Sequence, residues 1–246
     1  MLIYSFFFDK KKLRSVFMED SDSLDELLKS KKSLIRWGDG ESTIFFGGDL
    51  YFQPNSTSLF LSLRKIVKTY NKDSAYYIAL PNAFLKTDKE SLINQNKYHL
   101  WVHTRYLFSK YFEYKNMFFL SSFMFREESD LKNDVIEQLW KTETYIYFLH
   151  SNYKYYIDFC KKFPSKKVLF VEVSSANSYK QFKKTINTIR TNIFNEKISK
   201  KDLCVLVSAG PASKSIIYSL TKYNIRSLDM GHYFDYKFYE ISRIKK

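Results

Sequence analysis

Seven short apolar runs, with stretches of helical periodicity between them, predict an α/β protein with a mostly parallel central sheet and helices on both faces. The runs are Leu34 to Trp37, Tyr76 to Leu80, Met117 to Ser121, Tyr145 to Leu149, Val168 to Val173, Leu203 to Ser208 and Ile225 to Leu228. Strands buried on both faces of a sheet read as such continuous runs. Between them, Leu59, Leu63, Ile66, Val67 and Tyr70 follow amphipathic helix spacing, as do Leu131, Val135 and Leu139, and again Ile216, Ile217 and Leu220. Ser23 and Glu26 have capping-box spacing before Leu27, and Pro211 stands just ahead of the last long helix. The opening Met1 to Phe8, MLIYSFFF, reads as a first strand or edge hairpin. With no basic region ahead of it, and Asp9 and three lysines after it, it does not read as a signal peptide.

A chain of 246 residues with 45% hydrophobic content can bury a full core, so a single domain over residues 1–246 is expected. The 19% aromatic content against 6 Gly and 4 Pro argues against disorder and against a turn-rich all-β chain. A formal charge of +14 suits nucleic acid, an anionic membrane surface or phosphorylated substrates. The two cysteines, Cys160 and Cys204, lie far apart, and Cys204 falls in an apolar run, which fits a reducing, cytoplasmic compartment. No stretch reaches the roughly 18 apolar residues of a membrane span.

In a parallel sheet ligands bind outside the carboxyl ends of the strands, so the loops after strands are where chemistry is expected. The first such loop is Gly38-Asp39-Gly40-Glu41, after Leu34 to Trp37. If it is extended, both carboxylates face one side, as a magnesium- or manganese-like ion with substrate phosphates requires. Gly38 and Gly40 let the backbone approach a diphosphate, and Arg36 could pair with a phosphate or orient a carboxylate. The same loop also reads as an ordinary acidic turn. The second is Ala209-Gly210-Pro211, where a helix start offers unpaired N–H groups to a phosphate. The third holds Asp229, Gly231, His232 and Asp235, in which a histidine and a carboxylate could form a base with its orienting partner. Arg126 follows a strand and could reach a ligand, although Glu127 and Glu128 offer it local partners. His99, His103 and His150 lack zinc-motif spacing and read as structural.

Taken together, Arg36-Trp37-Gly38-Asp39-Gly40-Glu41, Gln53, Leu80-Pro81-Asn82, Ser208-Ala209-Gly210-Pro211 and Asp229-Met230-Gly231-His232 resemble the bacterial glycosyltransferases of the GT-D fold. The resemblance runs from about Ser33 to Glu240. It implies a single Rossmann-like domain, a nucleotide-sugar donor such as a UDP-sugar, and a divalent metal, Mn2+ or Mg2+, held at Asp39 and Glu41. It also implies transfer to a glycan, glycoprotein or lipid-linked glycan. Arg36, Gly38, Gly40, Gln53, Arg126 and Gly210 would line the donor site, with His232 and Asp229 as the acid–base pair. The chain departs from the family pattern at Ser174-Ser175-Ala176-Asn177, which bears on donor or acceptor preference. Contact with an anionic membrane surface at its cytoplasmic side is compatible with the charge, and no nucleic-acid partner is expected. The rival readings are a basic nucleic-acid-binding protein, a metal-dependent phosphodiesterase using the same carboxylates, and an inactive scaffold of a glycosylation complex.

Overall fold

The computed structural model describes residues 16–112, 117–126, 129–236 and 238, so the expectation for Met1 to Phe8 lies outside the described residues. Among the described residues, eight strands form one sheet: β1 (Val16–Phe17), β2 (Ser33–Arg36), β3 (Tyr76–Leu80), β4 (Phe118–Ser121), β5 (Tyr145–His150), β6 (Lys167–Glu172), β7 (Leu203–Val207) and β8 (Ser227–Asp229). Their order across the sheet is β1-β4-β3-β2-β8-β7-β5-β6, and every pair is parallel. The apolar runs in the sequence mark β2 to β8 to within two residues. The helices that cross between them begin with α1 (Asp20–Ser30), α2 (Asp39–Phe45) and α3 (Thr57–Thr69). Then come α4 (Asn82–Lys86), α5 (Lys89–Asn94), α6 (Tyr98–Tyr111) and α7 (Asn133–Ile136). After these, among the described residues, come α8 (Tyr153–Lys162), α9 (Phe182–Asn195), α10 (Ala212–Thr221) and α11 (Tyr233–Tyr236).

Alternate residues of each strand feed two separate cores, one per face, because successive side chains of a strand point to opposite sides. Ile35, Val205 and Val207 pack with Leu59 and Leu63 of α3, Ile189 of α9 and Ile216 of α10. Their neighbours Leu34, Cys204 and Leu206 pack with Leu24 and Leu27 of α1, Phe159 of α8 and Trp140. Each of these side chains, buried from full exposure, stabilises the fold by about 1–3 kcal/mol. Cys204 and Cys160 are both free thiols, and burial pushes the Cys204 thiol up to about 11. Among the described residues, no helix is long and apolar enough to cross a membrane.

Two local expectations are corrected. Ser23 is not a cap: α1 starts earlier, after Glu19, and the buried Ser23 hydroxyl accepts the Ser121 N–H at 2.8 Å. Tertiary packing claims the hydroxyl that the capping-box spacing assigns to the helix end. The Leu131-Val135-Leu139 stretch forms only the short α7, followed by a 3-10 turn over Glu137–Trp140, so Val135 is exposed while Leu139 is buried. Tighter winding after α7 breaks the 3.6-residue stripe.

Candidate active site

Since all strands run the same way, the ends of β2, β7 and β8 share one edge of the sheet, and β8 lies between β2 and β7. The loop after β2 is not extended. Asp39 is the first residue of α2, and Gly38 is its N-cap. At about 100° per residue, Asp39 and Glu41 leave the helix on different sides. Asp39 is exposed, its carbonyl accepts the Thr43 hydroxyl at 3.1 Å, and its carboxylate makes no hydrogen bond or ion pair among the described residues. Glu41 is buried and turns back to accept the Gly38 N–H at 2.8 Å, the reciprocal half of a capping box. The expectation that both carboxylates face one side is therefore corrected. A helix begins two residues beyond the strand, and its free N–H groups recruit the Glu41 carboxylate.

The other Glu41 oxygen meets Lys214, a residue that sequence reasoning missed. Lys214 lies in the first turn of α10, with Nζ 2.8 Å from Glu41 Oε1 and 3.0 Å from Asp229 Oδ2. Nζ also donates to the Gly210 carbonyl at 3.3 Å. Burial alone would lower its pKa, but the Asp229 and Glu41 carboxylates outweigh burial and raise it above the ordinary 10.5. The stability it contributes is thus fully present below that value and is lost as pH rises through the higher folded value. The available signal was compositional: Lys214 is the single charged residue in the helix ASKSIIYSLT. A lysine in such a helix needs a partner if it faces inward.

Asp229 is the hub of the edge. Besides Lys214, its carboxylate accepts the backbone N–H of Arg36 and of Gly231, each at 3.3 Å. Arg36 donates from Nε and Nη2 to the Ser122 carbonyl, at 3.0 and 2.5 Å, and from Nη1 to the Met230 carbonyl at 3.0 Å. Burial, reinforced by the charge of Arg126, lowers the Arg36 pKa against the pull of Asp229 and Glu41. Expected to pair with a phosphate or orient a carboxylate, Arg36 here spends its guanidinium on bracing the loops after β4 and β8 to the end of β2. Gly231 has φ +53°, and a Cβ there would lie 2.3 Å from Arg36 Nη1. Gly231→Ala is therefore expected to destabilise the protein by about 1–3 kcal/mol through left-handed backbone strain. It also forces a guanidinium held by three hydrogen bonds to move. An unchanged urea midpoint in this variant would refute the brace.

Gly210 also has positive φ, and the Phe52 ring lies 2.9 Å from where its Cβ would be. Leu50 comes within 3.2 Å of the corresponding position at Gly40. Both residues belong to a tight antiparallel turn in which Leu50 and Gln53 exchange backbone hydrogen bonds. Gln53, expected to line a ligand, is buried and holds this turn to the loop after β6. Its Nε2 donates to Asn177 Oδ1 at 3.1 Å and its Oε1 accepts the Tyr179 N–H at 3.1 Å. The Ser174 to Asn177 departure is thus part of the same rim, with the Asn177 N–H on the Phe52 carbonyl at 2.7 Å. Arg126 stacks its guanidinium over the Phe123 ring, 4.8 Å from the centroid.

His232 is exposed, and its Nδ1 lies 2.8 Å from Asp235 Oδ2. Its partner is Asp235 and not Asp229, whose oxygens are already committed to Lys214, Arg36 and Gly231. Burial would raise the Asp235 carboxyl, but the His232 hydrogen bond and charge, with His150, hold it below the usual range. His150 ends β5 and is buried, and burial pushes its pKa down. Its Nδ1 accepts the Asn152 N–H at 2.9 Å. His103 packs against Phe46 in a tilted arrangement, with ring centroids 4.6 Å apart.

Among the described residues, no group of three or more His, Cys, Asp or Glu side chains converges as a ready-made metal cage. The edge does fit an ion of the magnesium or manganese type, which takes one or two carboxylates and fills its other positions with water and phosphate oxygens. Asp39 offers a solvent-facing carboxylate, and Glu41 stands in the same helical turn.

A parallel sheet with glycine turns, an exposed acidic residue and a His–Asp pair on the carboxyl edge defines an α/β protein of the class that binds ligands across its strand ends. The glycosyltransferase GT-D fold family matches residues 34–246, so the chain belongs to that family. It is 23% identical over 220 residues to a protein of Streptococcus gordonii described as "Probable glycosyl transferase Gly". That match covers 85% of this chain and 31% of the relative, so the chain spans about a third of the relative's length. Among solved structures it is similar to "A New Glycosyltransferase (DUF1792) from Streptococcus sanguinis". The TM-score is 0.73 at 22% identity, covering 92% of this chain and 85% of that one. Another similar structure is described as showing that the domain of unknown function 1792 "has a distinct glycosyltransferase fold". Its TM-score is 0.72 at 20% identity, with 98% and 85% of the two chains covered.

Proposed function

We propose that the chain is one catalytic domain that transfers a sugar from a nucleotide-sugar donor, of the UDP-sugar kind, to a glycan, glycoprotein or lipid-linked glycan, with a divalent metal at Asp39. The observation that carries this reading is the exposed Asp39 carboxylate at the carboxyl edge, on the helix that the Glu41–Lys214–Asp229 cluster ties to the start of α10. When bound, the metal supplies positive charge against the donor diphosphate.

The protein's own groups do the rest. The start of α10, after Gly210 and Pro211, carries the positive end of the helix dipole, which suits an anion bound at this turn. Gly210 keeps the backbone open to a bulky phosphate, and Phe52 walls one side. Arg36 contributes by fixing the edge, not by touching phosphate. With Nδ1 engaged by Asp235, the Nε2 of His232 is the atom left to take the proton of an acceptor hydroxyl. In that displacement the acceptor oxygen forms its bond to the anomeric carbon. The bond from that carbon to the diphosphate oxygen breaks, and the nucleoside diphosphate leaves with the electron pair. Asp235 stabilises the imidazolium so formed.

The test is a panel of nucleotide sugars with Mn2+ present, read by release of nucleoside diphosphate. Turnover of one donor that stops on chelation is the expected result. No release from any donor, or release indifferent to chelator, would overturn the reading.

A further inference from the structure

Lys214 is in an unfavourable place by two criteria. It is a positive charge in the first turn of α10, where the helix dipole opposes it, and its side chain is only 7% exposed. It is kept there by two carboxylates from different elements, Glu41 at 2.8 Å and Asp229 at 3.0 Å. One of these, Glu41, stands in the same helical turn as Asp39. A single ammonium thus sits where two carboxylates meet, one of them two residues along α2 from the residue proposed to hold a divalent ion.

We infer that Lys214 is a resident counter-cation, which holds Glu41 in the metal-free protein and competes with the divalent metal for that carboxylate. The inference rests on the metal-dependent reading above and adds a defined competition to it. Because Glu41 leaves α2 on a different side from Asp39, its carboxylate can turn to an ion at Asp39 only by swinging away from its present partners, the Gly38 N–H and the Lys214 ammonium. The ammonium bond is the one a divalent cation replaces, since both partners bind the carboxylate by charge. Release of Glu41 leaves Lys214 on Asp229 and beside the Gly210 carbonyl, at the turn proposed to face the donor diphosphate. Lys214 is therefore a positioning residue that couples metal arrival to the state of the phosphate turn.

The experiment is Mn2+ titration, by calorimetry and by electron paramagnetic resonance of free Mn2+, on the wild type, Lys214→Met and Lys214→Met combined with Glu41→Gln. Removing the competing charge should tighten Mn2+ binding at least tenfold, and Glu41→Gln should cancel the gain. Mn2+ should also raise the melting temperature of Lys214→Met by more than that of the wild type, because binding to the folded state stabilises it. Should Lys214→Met fold only with Mn2+ present, the recovery itself supports the inference. Unchanged or weaker Mn2+ affinity, or a variant that stays unfolded at millimolar Mn2+, overturns it. Nucleoside diphosphate release by the wild type separates the two claims: release with unchanged affinity in Lys214→Met defeats only the competition, whereas absent release defeats the transferase reading.

Discussion

Replacing Asp39 with Ala is expected to lower donor turnover at least 100-fold and to remove the manganese dependence of nucleotide binding, while leaving the fold almost intact. The Asp39 carboxylate is exposed and unpaired among the described residues, so no buried partner is left behind. What the fold loses is the favourable interaction of an acidic side chain with the start of α2, about 0.3–1 kcal/mol. Glu41→Ala should behave differently. It removes the reciprocal half of the cap on Gly38 and one of the two carboxylates on Lys214, so it should cost stability as well as activity. Thermal melts and nucleoside diphosphate release on the two variants separate the roles. Equal destabilisation, or full turnover in Asp39→Ala, would show that the exposed carboxylate is not where the metal is held.

The largest stability effect is expected at Lys214. In metal-free buffer, Lys214→Met should cost about 3–5 kcal/mol, because it leaves Glu41 and Asp229 buried without their cation. That is a large share of the 5–15 kcal/mol by which domains are usually stable. Lys214→Arg should recover only part of the loss, since a planar guanidinium does not fit a site shaped around a tetrahedral ammonium. Urea denaturation of the three proteins checks both statements. A loss below about 1 kcal/mol would mean that the cluster resembles a surface ion pair in energy despite its burial.

The strands were legible because a parallel strand buried on both faces leaves no polar alternation to obscure it, as in Leu203 to Val207 and Tyr76 to Leu80. The meeting of the Asp39 loop with Asp229 followed from the same logic, because parallel strands deliver their ends to one edge. Asp39, Gly210 and His232 could therefore be picked out as edge residues from their places after strands. Their local conformations were harder to read. Gly38 as an N-cap gives no hydroxyl or carboxylate signature, so Glu41 did not show itself as the answering residue of a capping box.

The sequence by itself determined the sheet, the edge on which the chemistry gathers and the family to which the chain belongs, because these depend on patterns within short segments. Only the tertiary structure decided what each polar group does there. Glu41, Lys214 and Asp229 come from three separate elements, and Arg36 spends its guanidinium on the carbonyls of Ser122 and Met230. Likewise His232 pairs with Asp235, while Asp229 accepts from Lys214, Arg36 and Gly231. The physical reason is that a buried charge or hydrogen-bonding group must find a partner, and the partner is chosen by distance in the folded chain, which spacing along the sequence does not record.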